Sequence, residues 1–295
     1  MPRYLDRLPR RTGVPMSPII RKASRADLDT LIDWAAREGW NPGLDDAPAF
    51  WAADPDGYWI AEEDGRVAAA LSLVRTGEDY AFLGFYMAHP DFRGQGIGLM
   101  LWQRAVAEAG GRTIGLDGVV AQQDNYRKSG FVYAHANFRY GGEVQCTEPP
   151  GTELVSVSPV HVPMLVDYDA RFNPARRDAF LHEWLKPLET RESFALLRNA
   201  EVLGYGTIRA CREGHKIGPL FADTETGADL IFRKLVTSAG GGQVYLDIPE
   251  PNAAARALCD RYNLKPVFET ARMYRGPVPE LPLGQIYGIT TFELG

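Results

Sequence analysis

FLGFYMAHPDFRGQGIGLMLW, Phe82–Trp102, decides how the rest of this chain is read. An apolar run of strand character, Phe82–Ala88, meets His89-Pro90. Arg93-Gly94-Gln95-Gly96-Ile97-Gly98 then leads straight into a helical pattern. Glycine at 94, 96 and 98 lets the backbone take φ > 0 or approach a ligand closely, where a Cβ would obstruct. Between a strand end and a helix start, such a loop aims several N–H groups at one point. The positive end of the helix dipole reinforces them, so the site suits a pyrophosphate. The Walker pattern is excluded, because no Lys-Ser or Lys-Thr follows the glycines. The dinucleotide pattern G-x-G-x-x-G fails too, on glycine spacing and on the missing acid after the next strand. What fits is R-x-x-G-x-G, met by Arg93, Gly96 and Gly98.

With its strand, its His-Pro-Asp-Phe-Arg lead-in and its apolar helix, the segment resembles the acetyl-CoA loop of the GNAT N-acetyltransferase superfamily. The plain alternative is a glycine-rich turn without a ligand, and the matching flanks weigh against it. The resemblance implies that the strand before the loop splays from its neighbour and that the pantetheine arm of acetyl-CoA lies there like an added strand. Tyr86, Met87 and Ala88 are then the strand positions beside the arm, and one of their N–H groups serves as oxyanion donor. Arg93, Gly94, Gln95, Gly96, Ile97 and Gly98 grip the pyrophosphate.

The family places a tyrosine five residues before the aromatic of a Gly-Phe pair. Tyr126 stands so before Gly130-Phe131. It is expected beside the co-substrate, giving a proton to the departing thiolate, since matched pKa values ease transfer; packing of its ring without a proton role is the alternative. Asp117, ending the strand across the splay, is the leading base for the amine, with Asp247 an outside contender. Capping the turn at Gly118 is the alternative role. The connection from Gly118 to Asn125 is shorter than in relatives, which leaves the spacing of acid and base open. The acceptor pocket is expected after the first helix, from Glu38, Trp40, Asn41 and Asp46. An aromatic and acidic mix suits a cationic amine, while core tryptophans and solvated turn aspartates are the alternative.

Outward from the loop, the chain reads as two similar halves. The expected division is a flexible leader over 1–18, a GNAT domain over 19–146, a Pro-rich hinge over 147–151 (TEPPG), a degenerate GNAT-like domain over 152–276 and a tail strand within 277–295. In each half, strand, helical segment, three strands, helix, strand, helix and strand follow in the GNAT order. The fold class is therefore α/β of the α+β kind, two tandem mixed, mostly antiparallel sheets flanked by helices. Phe131–Arg139 is expected to complete the first half and Pro266–Tyr274 the second. Two echoes tie the halves together: Leu116-Asp117 with Leu246-Asp247, and Asn137-Phe138-Arg139-Tyr140-Gly141 with Ala271-Arg272-Met273-Tyr274-Arg275-Gly276. Where half one has its loop, half two reads GPLFADTETG from Gly218, without the arginine or the glycine spacing. Asp223 and Glu225 there would repel a pyrophosphate, so chemistry is expected in half one alone.

Bulk properties agree. The 295 residues allow two ordinary domains, and 45% hydrophobic content allows real cores. A net charge of −6 argues against a nucleic-acid groove. No apolar stretch reaches membrane-span length, and the basic N-terminal segment lacks the apolar region of a secretory signal. Three scattered cysteines, Cys146, Cys211 and Cys259, suit a reducing cytoplasm. No histidine pair has metal-ligand spacing, so no metal is expected. The expected activity is acetyl transfer from acetyl-CoA to a primary amine of a small molecule, in a monomer or homodimer. Protein N-acetylation and non-catalytic acyl-CoA sensing are the alternatives.

Overall fold

Local rules set the elements. Ser24 caps the first helix, α1 (Arg25–Arg37), in a reciprocal box with Asp27, and Leu28, Leu31 and Ala35 line its buried face. Asp64 and Gly65, both at positive φ, turn β2 (Tyr58–Glu63) into β3 (Arg66–Thr76). The computed structural model describes residues 17–295 apart from Thr152, so most of the expected leader lies outside the described residues. Half one also contains β1 (Ile19–Lys22), α2 (Ala47–Ala53), β4 (Tyr80–Ala88), α3 (Ile97–Glu108), β5 (Thr113–Val119), α4 (Gln123–Lys128) and β6 (Val132–Val144). Half two contains β7 (Leu154–Ser156), α5 (Val162–Asp169), α6 (Asp178–Trp184), β8 (Arg191–Arg198), β9 (Glu201–Ala210) and β10 (His215–Ala222). It continues through α7 (Glu225–Ser238), β11 (Gly242–Pro249), α8 (Ala253–Arg261), β12 (Lys265–Arg275) and β13 (Ile286–Gly288).

All the strands join one open sheet in the order β1-β2-β3-β4-β5-β12-β6-β11-β10-β9-β8-β7, with β13 beside β10. Among the described residues, only β4–β5 and β10–β11 pair in parallel. The order corrects one expectation. Neither half closes its own sheet: β12 of half two pairs with β5, while β6 of half one pairs with β11. The two exchanged strands also pair with each other at the centre.

The exchange is keyed by two matching ion pairs. On β12, Arg272 lies opposite Asp117 and grips both its oxygens at 2.7 Å. On β6, Arg139 lies opposite Asp247 and grips its oxygens at 2.7 and 2.8 Å. Two-pronged arginine–carboxylate pairs fix register as well as charge. Burial alone would raise the Asp247 carboxyl, but the Arg139 charge and hydrogen bonds hold it below its ordinary range. The echoes seen in the sequence are thus the two sides of one repeated contact.

The cores follow the same plan. One cluster fills half one between β2–β5 and α3, and another fills half two under α7 and α8. A third joins the halves, with Leu31 and Phe50 sharing an interior with Phe180 and Trp184. Phe50 stacks on Trp184 at 6.3 Å and 8°. Trp184 in turn underlies the guanidinium groups of Arg191 and Arg209, at 4.3 and 4.8 Å. Both arginines reach across to Asp46 of half one.

Candidate active site

The parallel pairing of β4 with β5 runs from Tyr80–Thr113 to Leu83–Leu116 and stops. Two causes separate the strands beyond it. On β4, the step from Gly84 to Met87 faces the shorter step from Ser72 to Ala70 on β3, a bulge in which Phe85 takes φ 48. A non-glycine residue there costs about 1–3 kcal/mol and persists only where its surroundings enforce it. Here the Phe85 ring is locked against Phe50 and Tyr58, with centroids at 5.9 and 6.5 Å. On the other side, β5 follows β12 through Thr270–Val119, Ala271–Gly118 and Arg272–Asp117. Between the diverging strands lies a cavity of about 420 Å³, and Tyr86, Met87 and Ala88 line it on the β4 side.

Directly after β4 comes the loop. Gly94 and Gly96 adopt φ 76 and 83, and open space surrounds the position a Cβ would take at each. Both are exposed, as are Arg93 and Gln95, while Ile97 anchors the start of α3 in the core. Gly96 caps α3 without a side-chain hydrogen bond. Among the described residues, no protein acceptor takes the main-chain N–H groups of Gln95 to Leu99. Such a row of free amides at a helix start is an anion site by construction. Arg93 turns inward: its Nε donates to the Ala88 carbonyl at 3.0 Å, and its Nη2 pairs with Glu38 at 2.5 Å. It braces the loop against β4 and the end of α1. Gln95 folds back, Nε2 donating to the Asp91 carbonyl at 2.8 Å.

Tyr126 lines the cavity from α4. Its ring stacks on Trp102 at 5.6 Å and 20°, and it lies across Gly118, where any Cβ would collide with it. Gly118 is therefore the groove for that ring. Burial, helped by Tyr86, pushes the Tyr126 phenol up to about 12. It is a weaker acid than a free phenol, but it carries its proton throughout the physiological range.

The remaining candidates divide. Glu38 and Trp40 line the cavity, Glu38 near its mouth in the pair with Arg93. The Trp40 carbonyl is held from half two, by Arg139 Nη1 at 2.7 Å and Lys216 Nζ at 3.0 Å. Burial and the nearby Arg139 charge push the Lys216 ammonium down to about 8. Asp46 does not reach the cavity. It is fully buried, accepting from Arg191, Arg209 and the Gly43 N–H. Asn41 is likewise turned away, exchanging hydrogen bonds with the backbone of Glu213.

Asp117 lines the cavity with a buried side chain. Besides the two bonds from Arg272, its Oδ1 accepts from Asn137 Nδ2 at 2.7 Å. Both oxygens of this carboxylate are thus committed to holding β12 against β5. Asp247 is in the same position with Arg139.

Three cavity residues come from half two and were not foreseen: Phe268 and Thr270 on β12, and Phe292 in the tail. Half two thus supplies one wall of the site. The local pattern of these residues gives no sign of it; the repeated Asp and Arg echoes were the usable signal. The equivalent slot in half two is filled by the chain itself. β13 lies against β10 beyond the point where β10 leaves β11, and the Ile289 N–H donates to the Asp247 carbonyl at 2.7 Å. Thr224 caps α7 by accepting from the Gly227 N–H, which takes up one of the amides at that helix start. From there the tail crosses to half one, where the Glu293 carbonyl rests on Gly84.

Comparisons with known proteins agree with this geometry. Residues 25–133 match the acetyltransferase (GNAT) family, and residues 165–288 match an acetyltransferase (GNAT) domain. A holothin acyltransferase of Pseudoalteromonas sp. (strain SANK 73390) is 29% identical over 278 residues, 93% of this chain and 94% of that one. The fold is shared with a putative acetyltransferase from Pyrococcus horikoshii (TM-score 0.78, 21% identity, 99% of each chain covered). It is shared also with a tandem GNAT protein from the clavulanic acid biosynthesis pathway (TM-score 0.61, 16% identity, 89% of this chain and all of that one). The chain belongs to the GNAT acyltransferases and carries two GNAT units in tandem.

Proposed function

We propose that half one transfers an acyl group, acetyl in the simplest case, from acyl-CoA to the primary amine of a small molecule. The observation that carries this reading is the open slot between β4 and β5, headed by unpaired loop amides, where half two has filled its own slot with β13. The residues present fit the co-substrate. The amides of Gln95–Leu99 suit its diphosphate, and the free edge at Tyr86–Ala88 suits the amide groups of its arm. An N–H on that edge is the oxyanion donor. The amine nitrogen attacks the thioester carbon, the C–S bond breaks, and Tyr126 protonates the leaving sulfur. Asp117 holds β12 in place, and the amine proton leaves through water. The relative's name supports acyl transfer and makes holothin a first acceptor to assay. The walling of the cleft by β12 and the tail favours a small acceptor over a protein. A cytoplasmic location suits the free cysteines.

Titration calorimetry with CoA tests the binding half. Arg93→Ala combined with Gly96→Val should abolish the binding seen with the native chain, and unchanged affinity would move the co-substrate elsewhere. Tyr126→Phe tests the chemistry. Its kcat should fall on the order of 10²-fold or more while CoA affinity barely moves; equal losses would make the residue a binding group only.

A further inference from the structure

Resting on that reading, we propose that the acceptor is a flat, conjugated amine whose nitrogen is uncharged at neutral pH. It lies against Phe268 and Phe292 and is hydrogen-bonded by Thr270 Oγ1. Three observations lead there. First, both carboxylates lining the cavity are engaged: Glu38 pairs with Arg93 and Asp117 with Arg272. No histidine lines it among the described residues. Among the residues that line the cavity, an alkylammonium would find no carboxylate without an arginine partner; Glu293, buried beside Phe292 and without a hydrogen-bond partner among the described residues, is not one of them. An amine conjugated into a ring arrives neutral, with its lone pair ready.

Second, the wall that half two supplies is aromatic. Phe268 and Phe292 stand 6.3 Å apart at 44°, with Trp40 completing the surface. The Arg139 guanidinium lies 5.9 and 5.0 Å from the two phenyl rings and already engages them, so they attract a second cation weakly. Stacking with a neutral plane is the contact left to them. Third, Thr270 lines the cavity and is 2% exposed, and its hydroxyl has no hydrogen-bond partner among the described residues. Buried hydroxyls are rarely left so, and a ligand atom in the cavity would satisfy this one. Thr270 alternates with Phe268 and Arg272 along β12, which places the three on one face of the strand.

The step balances without an external base. The neutral nitrogen forms the C–N bond as the C–S bond breaks. Tyr126 gives its proton to sulfur and recovers one from the nitrogen through water, leaving an amide and free CoA thiol.

The test compares p-anisidine with 2-phenylethylamine, which share a ring but differ in nitrogen basicity, under acetyl-CoA. At pH 7, kcat/KM for p-anisidine should exceed that for 2-phenylethylamine on the order of 10²-fold or more, since an alkylamine is almost wholly protonated there. The ratio should fall about tenfold per pH unit toward pH 9 as the alkylamine loses its proton, and titrations of the enzyme cancel in it. Thr270→Val should raise KM for p-anisidine about tenfold without changing CoA affinity, and Thr270→Ser should restore it. Phe268→Ala should raise KM as well. Equal or faster turnover of 2-phenylethylamine at pH 7 overturns the proposal, as does failure to turn over p-anisidine by enzyme that binds CoA. Loss of CoA binding itself would instead overturn the parent reading.

Discussion

The hydrogen atom in place of a side chain at Gly118 is what gives Tyr126 its position. Any Cβ there would strike the ring that stacks on Trp102, and in the proposed reaction a displaced phenol cannot meet a sulfur held by other residues. Gly118→Ala should therefore cut kcat about tenfold or more, since misplacement of about 1 Å is that costly, while CoA affinity in calorimetry stays near native. An unchanged kcat would take the proton role from Tyr126. The spacing to Gly130-Phe131 placed this tyrosine in the sequence, but the role of Gly118 was invisible there. A glycine after a strand-end aspartate reads as a turn, and the tyrosine that needs the space is eight positions on. Asp117 shows the opposite failure. Its place on β5 was legible, but the strand does not end there as expected: it runs on to Val119 along β12, and the partner Arg272 lies on the far half of the chain.

Between elements, the segment after α1 changes meaning. It looked like an acceptor pocket of mixed aromatic and acidic residues. Instead α2 forms, and Asp46 at its start becomes the buried anchor for Arg191 and Arg209. Only Glu38 and Trp40, which precede α2, remain on the cavity. Removing one partner of a buried ion pair leaves the other uncompensated. Asp46→Ala should accordingly cost about 3–5 kcal/mol in urea unfolding, with the KM of the surviving enzyme unaltered. A KM change without a stability loss would return Asp46 to the acceptor. The helix was missed because Ala47–Ala53 is short and carries a proline near its start, a composition that also fits a loop. The tail was half-legible: a strand was expected, and Ile286–Gly288 is one, but its docking site on β10 depends on a slot that local sequence does not display.

Across the whole molecule, the order of elements could be read from hydrophobic period and turns, whereas the strand exchange could not. Swapped and unswapped sheets have the same sequence pattern, since a strand presents the same two faces to either neighbour. Cleavage within Thr147–Gly151, at an engineered protease site, tests it. The two fragments should co-elute, retain turnover and part only in denaturant; separation into soluble halves would show that each closes itself. The exchange also has a meaning for biosynthesis. A nascent chain that has cleared the ribosome through the hinge still lacks the strand that must lie beside Asp117, and that strand is made more than a hundred residues later. The first half can bind nothing in its finished form until the second has been translated. Expressed alone, it would have only β6 to set beside Asp117, its own or that of a second copy, so the tandem gene behaves as a dimer written on one message.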